Sequence, residues 1–92
     1  LVITEGALEG TVIPLGTSQI TIGRAADSTI VLEDDFVSTN HARLIPQGKN
    51  WIIEDLNSTN GTWIERDRVT KPTVLSPRTT LRIGRTSMEI RS

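Results

Sequence analysis

The segment Asp55-Leu56-Asn57-Ser58-Thr59-Asn60-Gly61-Thr62-Trp63 joins two runs of alternating apolar residues and consists mostly of residues that favour turns. Asn57 and Ser58 can brace such a turn through hydrogen bonds from their side chains to nearby backbone groups. Gly61 can adopt the positive φ that a tight turn often requires. The segment therefore predicts a strand, a polar loop and a second strand.

Outward from this loop, short alternating runs separated by turn residues recur about every 8 to 12 residues, which is typical of a β-sandwich or barrel. Thirty of the 92 residues are Ile, Val or Thr, whose β-branched side chains favour sheets. We predict an all-β, two-sheet β-sandwich of about eleven short, mostly antiparallel strands, with a ligand site in the loops at one end. The predicted strands are 1–4, 11–14, 19–22, 29–31, 41–46, 50–55, 62–64, 68–69, 73–74, 80–83 and 87–91.

Alternation also predicts which side of each strand is buried. The apolar sides that should meet in the core carry Ile20 and Ile22, Leu81 and Ile83, and Met88 and Ile90.

Composition excludes several classes of function. Ten basic and 11 acidic residues give a net charge of -1, which lacks the positive field that non-specific nucleic-acid binding requires. No apolar run approaches the ~20 residues of a membrane helix, so we expect a cytoplasmic domain with no direct membrane insertion. Without cysteine there is no disulfide and no thiolate zinc site.

Ninety-two residues suit one small domain, 1–92, and a chain that begins at Leu1 suggests a domain excised from a longer protein.

Two shorter signals precede the opening segment, Gly23-Arg24 at a strand end and Ser38-Thr39-Asn40-His41 before the next long strand. Alternate connections of a sandwich gather at one end, so loops 24–28, 33–40 and 57–61 should form one edge. A guanidinium with hydroxyl and N–H donors can hold a phosphate dianion without a metal. We predict that Arg24, the Ser38 hydroxyl and the Thr39 N–H are such donors, and that Gly23 permits a close backbone approach beside them.

Two residues of the opening segment complete this candidate site. The Thr59 hydroxyl can donate to the phosphate, and the Asn60 amide can both donate to and accept from the extended backbone of a bound peptide. This set requires neither a metal nor a cofactor.

The three loops, in this order, resemble the forkhead-associated (FHA) domain family, and the resemblance runs through the whole chain. The family's pattern is met at Gly23, Arg24, Ser38, His41, Asn60 and Gly61. The resemblance implies a module that binds phosphothreonine segments and does no chemistry, with His41 holding its loop in shape through hydrogen bonds. It also implies that Asp34, Asp35 and Phe36 help to select the residue that follows the phosphothreonine, repelling an acidic one and tolerating a basic or apolar one.

The local sequence of 22–28 and 54–62 is most similar to bacterial members of the family, in particular actinobacterial ones that act beside Ser/Thr protein kinases. This similarity implies that the partners are threonine-phosphorylated proteins, including such a kinase or its substrates. It also implies a role in recruiting kinase targets during signalling.

Two other functions compete with this interpretation. A hydrolase would need Ser38 as nucleophile, His41 as base and Asp35 or Asp55 as the acid, but no nucleophile-elbow or oxyanion-hole pattern accompanies them. A phosphate-independent protein-interaction or oligomerisation β-sandwich would pair through a sheet face instead. Dependence on phosphate separates that alternative from the FHA interpretation.

Three remaining features have ordinary structural explanations. Ile83-Gly84-Arg85 repeats Ile22-Gly23-Arg24 but lies between two alternating runs, which predicts a plain hairpin turn. Trp51 and Trp63 have no interleaved basic residues in their segments, so we expect core or half-buried packing rather than a platform for stacked bases. The acidic stretch 33–35 lacks calcium-loop spacing and predicts a solvated loop.

Overall fold

The abundance of β-branched residues and the short alternating runs are reflected directly in the secondary structure. A computed structural model describes residues 1–91, which form ten β-strands and no helix. The strands are β1 (Val2–Glu5), β2 (Ile20–Gly23), β3 (Ile30–Val31), β4 (Ala42–Gln47), β5 (Asn50–Asp55), β6 (Thr62–Ile64), β7 (Asp67–Arg68), β8 (Thr73–Val74), β9 (Leu81–Ile83) and β10 (Thr86–Glu89). Accordingly, residues 1–91 contain no helix of the length and apolarity that crossing a membrane demands.

The strands form two five-stranded sheets, ordered β1-β10-β9-β6-β7 and β3-β2-β4-β5-β8. Strands β2 and β3 run parallel, and the other neighbouring strands run antiparallel. The predicted two-sheet, mostly antiparallel sandwich is therefore confirmed.

The core lies between the two sheets and contains the side chains that alternation assigned to it. Each such side chain contributes about 1.5–3 kcal/mol through burial. All six residues predicted to be buried are at most 8% exposed, and the largest side chains that are fully buried include Ile3, Ile22, Leu44, Ile53, Leu81, Ile83 and Met88.

The segment 11–14 differs from the prediction of a strand. It lies beside β1 and forms one isolated bridge, from Val12 to Val2. Pro14 has no N–H to continue a ladder, and Val12 is 67% exposed. Ten strands therefore replace the expected eleven in the part of the chain that the structure describes.

Both ends of the sandwich are formed by connections between strands. The turn between β4 and β5, at Gly48 and Lys49, lies at one end, because Gln47 and Asn50 are the last pair of that ladder. Ala42 pairs with Asp55 at the other end of the same ladder, where the loops before β4 and after β5 begin. The candidate site residues lie at this second end.

Candidate functional site

The loop that follows β5 is held by the Asp55 carboxylate. It accepts hydrogen bonds from the Ser58 N–H (3.1 Å), the Ser58 hydroxyl and the Thr62 hydroxyl (2.7 Å). The Ser58 oxygen in turn accepts the Gly61 N–H at 3.0 Å. Both Asn57 (φ 60°) and Gly61 (φ 90°) adopt positive φ. The sequence indicated a braced turn at Ser58, but it did not identify Asp55 as the anchor.

The environment of Asp55 keeps this carboxylate ionised at neutral pH. Burial raises the pKa of Asp55, but the hydrogen bonds from Ser58 and Thr62 outweigh burial and leave the pKa below its ordinary value. An ionised acceptor strengthens each of the bonds that it receives.

His41 connects the loop before β4 to the loop after β5. Its side chain is fully buried, and its Nδ1 accepts the Ser38 N–H at 3.0 Å. Since Nδ1 is an acceptor, Nε2 carries the ring hydrogen and donates it to the Gly61 carbonyl at 2.8 Å. The His41 carbonyl also accepts the Leu56 N–H at 2.9 Å. Both ring nitrogens are therefore occupied by backbone groups.

The loop that follows β2 lies directly on the loop that precedes β4. The Arg24 N–H donates to the Ser38 carbonyl, and the Ala25 N–H donates to the Thr39 carbonyl, both at 3.1 Å. A Cβ at Gly23 would overlap the Thr39 carbonyl oxygen and lie 3.2 Å from the His41 nitrogen. Only glycine allows this approach, which brings Arg24 beside the loop that precedes β4, residues 33–40, here called the second loop.

The polar groups that remain unpaired at this end include the predicted phosphate donors. The Ser38 oxygen accepts the Thr59 N–H at 3.1 Å, which leaves the hydroxyl hydrogen of Ser38 available. Within residues 1–91, neither the exposed Arg24 guanidinium nor the Thr39 N–H has an acceptor. An open cleft of about 460 Å³ is lined by Arg24, Ala25, Glu33, Asp34, Asp35 and Thr39.

Asn60 lies in the loop that follows β5, and its side chain supports the second loop. Its amide donates to the Phe36 carbonyl at 3.0 Å, and its backbone carbonyl accepts the Trp63 indole N–H at 3.2 Å. The amide oxygen and one amide hydrogen remain available to a bound chain. The structure thus gathers all five predicted binding residues, Arg24, Ser38, Thr39, Thr59 and Asn60, at one end of the sandwich.

Asp34 provides a contact that the sequence did not reveal. Its carboxylate accepts the Phe36 N–H at 2.9 Å and the Arg85 N–H at 2.7 Å, and it thereby fastens the β9–β10 hairpin to the second loop. Burial raises the pKa of Asp34, but these two bonds and the Arg85 charge leave the pKa below its ordinary value. The predicted hairpin at Gly84 is confirmed, with φ at 60° and Ile83 paired to Thr86.

The surroundings of Trp63 include a feature that the order of residues along the chain does not show. Both tryptophans are half-buried, as expected. Trp63, however, is flanked by two basic residues, because strand register places Arg68 and Arg82 directly opposite it on the neighbouring strands. Their guanidinium carbons lie 6.0 and 5.8 Å from the indole centroid. Basic interleaving is absent along the chain but present across the sheet.

A two-sheet β-sandwich with an open polar cleft in its end loops is typical of a domain that binds other molecules at its surface. The sequence model of the FHA domain family matches residues 20–84. This chain therefore belongs to the FHA domain family, which confirms the resemblance seen in its loops.

The chain is also similar to proteins from mycobacteria. It is 54% identical over 91 residues to the FHA domain-containing protein FhaB of Mycolicibacterium smegmatis, with 99% of this chain and 59% of that protein covered. The chain thus spans about three fifths of that relative's length. The similarity agrees with the bacterial, actinobacterial character indicated by the sequence.

Two solved structures share the fold closely. The FhaA FHA domain, complexed with the intracellular domain of Rv3910, has a TM-score of 0.85 at 28% identity, with 97% of each chain covered. A second structure, from an analysis of phosphothreonine-dependent FHA domain interactions, also has a TM-score of 0.85 at 28% identity, with 98% of this chain and 93% of that chain covered.

Proposed function

We propose that this domain is a phosphothreonine-dependent protein-interaction module that recruits targets of Ser/Thr protein kinases. The observation that carries the proposal is that an unpaired guanidinium, a free hydroxyl hydrogen and a free backbone N–H lie on two adjoining loops at one end of the sandwich, at Arg24, Ser38 and Thr39. The complex of the FhaA domain with the Rv3910 intracellular domain and the phosphothreonine-dependent interactions of another FHA domain support it.

In the proposed mechanism, the phosphate replaces its water shell with donors that the fold has already positioned. Arg24 supplies the charge, and Ser38, Thr39 and Thr59 supply hydrogen bonds to the phosphate oxygens. Asn60 binds the backbone of the extended segment beside the phosphorylated residue. Because the bonds of Asp55 and His41 hold these loops before binding, little ordering entropy remains to oppose association.

The same contacts support a binding role without catalysis. A Ser38 nucleophile would need an imidazole nitrogen as its base, but both nitrogens of His41 bond to backbone groups. The Ser38 oxygen instead accepts the Thr59 N–H. His41, together with Gly23 and Gly61, shapes the loops.

The partners in this proposal are threonine-phosphorylated proteins, including a Ser/Thr kinase or its substrates, and the proposed compartment is the cytoplasm. We also propose that residues 1–92 form one domain of a longer protein, in keeping with their match to only part of the FhaB relative.

Titration with three libraries of otherwise identical degenerate peptides tests the proposal. The central residue is phosphothreonine, phosphoserine or unmodified threonine, and affinity is measured by fluorescence anisotropy. We expect binding to the phosphothreonine set alone. Equal binding to all three sets would overturn the proposal in favour of a phosphate-independent interaction domain.

Two variants then assign the site within the same assay. Ser38→Ala and Thr59→Ala should each weaken phosphothreonine binding by about 1.5–3 kcal/mol, because each removes a hydrogen bond to a charged group. Lys49→Ala, at the opposite end of the sandwich, is the matched control and should bind normally. Unchanged affinity in both site variants would contradict this assignment of phosphate donors.

A further inference from the structure

A row of three side chains crosses the outer face of the sheet that contains β6, β7 and β9. Trp63 is in the middle, Arg68 lies opposite it on one neighbouring strand, and Arg82 lies opposite it on the other. Cross-strand partners point to the same face, so the three side chains form one continuous strip. We call this strip the basic row.

The two guanidinium groups of the basic row are not neutralised. Other arginines on this molecule do have carboxylate partners, since Arg43 pairs with Glu54 and Arg91 with Glu89. Within residues 1–91 no carboxylate lies within 4.0 Å of the nitrogens of Arg68 or Arg82. Both residues are exposed, and both are held near the indole ring at cation–π distance.

Two acidic residues close to the row in the chain are directed elsewhere, and Glu89, which shares the face of Arg82 on the next strand, pairs with Arg91. Asp67 precedes Arg68 on β7, so its side chain leaves the opposite face of the strand. Glu65 accepts the Thr80 N–H at 3.0 Å. The basic row is therefore a local positive surface on a chain whose net charge is -1.

The basic row is continuous with the candidate phosphothreonine site. The Trp63 indole N–H donates to the carbonyl of Asn60, the residue assigned to the peptide backbone. A Cβ at Gly61 would lie 2.9 Å from Nε of Arg68 and 3.1 Å from Nε1 of Trp63. A peptide that passes Asn60 needs only a few more residues, at about 3.3 Å each, to cover the row.

We propose that the basic row is a second binding surface, which takes an acidic segment of the same phosphorylated partner. Planar guanidinium groups suit Asp and Glu carboxylates because they can donate two parallel hydrogen bonds. The indole between them limits the motion of both arginines and reduces the entropy lost on binding. This inference rests on the proposed function, because the phosphothreonine places the partner beside the row.

The test compares three phosphothreonine peptides, one with neutral flanks and two that carry four glutamates on the amino or the carboxyl side. The proteins are the unsubstituted domain, Arg68→Gln/Arg82→Gln, and the control Lys49→Gln/Arg78→Gln. The control removes the same charge from exposed residues that lie away from the candidate site. For each protein the gain is the affinity for the better glutamate peptide divided by that for the neutral peptide. This ratio cancels any general change at the phosphate site.

We expect a gain of about three- to tenfold for the unsubstituted domain, the size that a few exposed charge pairs produce. Arg68→Gln/Arg82→Gln should lose most of this gain, and the control should keep it. The gain should also shrink between about 0.05 and 0.5 M salt because of screening. These results together would support the second surface.

Three other outcomes would overturn the second surface, and a fourth would overturn the proposed function. A gain near one in the unsubstituted domain, or an equal loss in both double variants, would show that the basic row has no specific role. A ten-nucleotide oligothymidine could instead bind more tightly than the glutamate peptides and lose this binding in Arg68→Gln/Arg82→Gln. That result would assign the row to single-stranded nucleic acid. Failure of the neutral phosphothreonine peptide to bind the unsubstituted domain would overturn the proposed function itself, an outcome distinguishable from the loss of the gain alone.

Discussion

The tripeptide Ile-Gly-Arg occurs twice, as 22–24 at the end of β2 and as 83–85 at the end of β9. Both isoleucines are buried in the core, at 1% and 0% exposure. In the first copy, Gly23 lies outside the left-handed region of φ and packs against the Thr39 backbone. The chain then enters the loop of the candidate site, and Arg24 has no carboxylate partner within residues 1–91.

The second copy has different neighbours. Gly84 adopts a φ of 60° in a two-residue hairpin, and the Arg85 N–H donates to Asp34. The Arg85 guanidinium lies 4.8 Å from the centroid of the Phe36 ring. One arginine is therefore free for an anion, while the other contacts a loop of its own domain. The same three residues acquire different roles because different elements pack against them.

The largest expected effect comes from replacing each of the two arginines in turn. Arg24→Ala should weaken phosphothreonine-peptide binding by about 2–5 kcal/mol, because it removes the counter-charge of a partly desolvated dianion. Arg85→Ala is the matched control and should weaken binding by less than about 1 kcal/mol, as expected for an exposed charge outside the proposed phosphate site. Isothermal titration calorimetry measures both. Equal losses would mean that the two copies share one function.

The glycines provide a second comparison. Gly23→Ala should destabilise the domain by about 1–3 kcal/mol, because its Cβ meets backbone atoms that cannot rotate away. Gly84→Ala should cost at least about 1–2 kcal/mol, through its positive φ and because its Cβ would lie 2.7 Å from side-chain atoms of Asp34 and the buried Val37. Thermal denaturation monitors stability, and peptide titration at low temperature monitors binding.

The glycine variants should differ most in peptide affinity. Gly23→Ala displaces the segment that holds Ser38 and Thr39, so affinity should fall together with stability. Gly84→Ala should retain more of its affinity, because its Cβ meets side-chain atoms of Asp34 and Val37 rather than backbone. A greater loss of affinity in Gly84→Ala would show that the hairpin, not the first copy, positions the phosphate donors.

A third prediction concerns the pH dependence of binding. The second pKa of a phosphothreonine is ~6, so affinity should fall by up to about tenfold between pH 7.5 and pH 5 as the dianion is protonated. Arg24→Ala should flatten this dependence, because in the proposed site Arg24 is the group that favours the dianion. Arg85→Ala should leave the pH profile unchanged. Titrations in buffers of constant ionic strength measure the slopes, and a steep profile in Arg24→Ala would oppose the assignment.

The smallest expected effect concerns stability in acid. The pKa values of Asp34, which holds the second copy, and Asp55, which braces the loop after β5, lie below their ordinary values. A depressed pKa in the folded state stabilises the domain above the unfolded value of ~3.9, and this stability is lost as the pH falls further. For the half-exposed Asp55 we expect about 1 kcal/mol, or about 4–8 °C in melting temperature.

The variant Asp55→Asn tests this origin of acid sensitivity. It should melt lower at pH 7, and its melting temperature should fall less between pH 6 and pH 3 than that of the unsubstituted domain. An identical acid response in the two proteins would assign the sensitivity to other carboxylates.

Much of the fold follows from local pattern. Alternation identified the buried faces of β2, β9 and β10, and turn residues located the loops, because these signals depend on neighbours along the chain. The strand predicted at 11–14 was wrong, because pairing there depends on the edge position of Val12 and on Pro14. The sequence also marked Arg24, Ser38 and Asn60, and the structure brings them to one end.

The sequence by itself determined the all-β class, the alternate burial of core side chains and the residue types available to an anion. These depend on the two-residue period of a strand and on the chemistry of single side chains. Only the tertiary structure determined which Ile-Gly-Arg copy keeps a free arginine, that His41 joins two loops, and that Trp63 lies between two arginines. Such contacts join residues far apart in the chain, and the register and packing of the two sheets decide them.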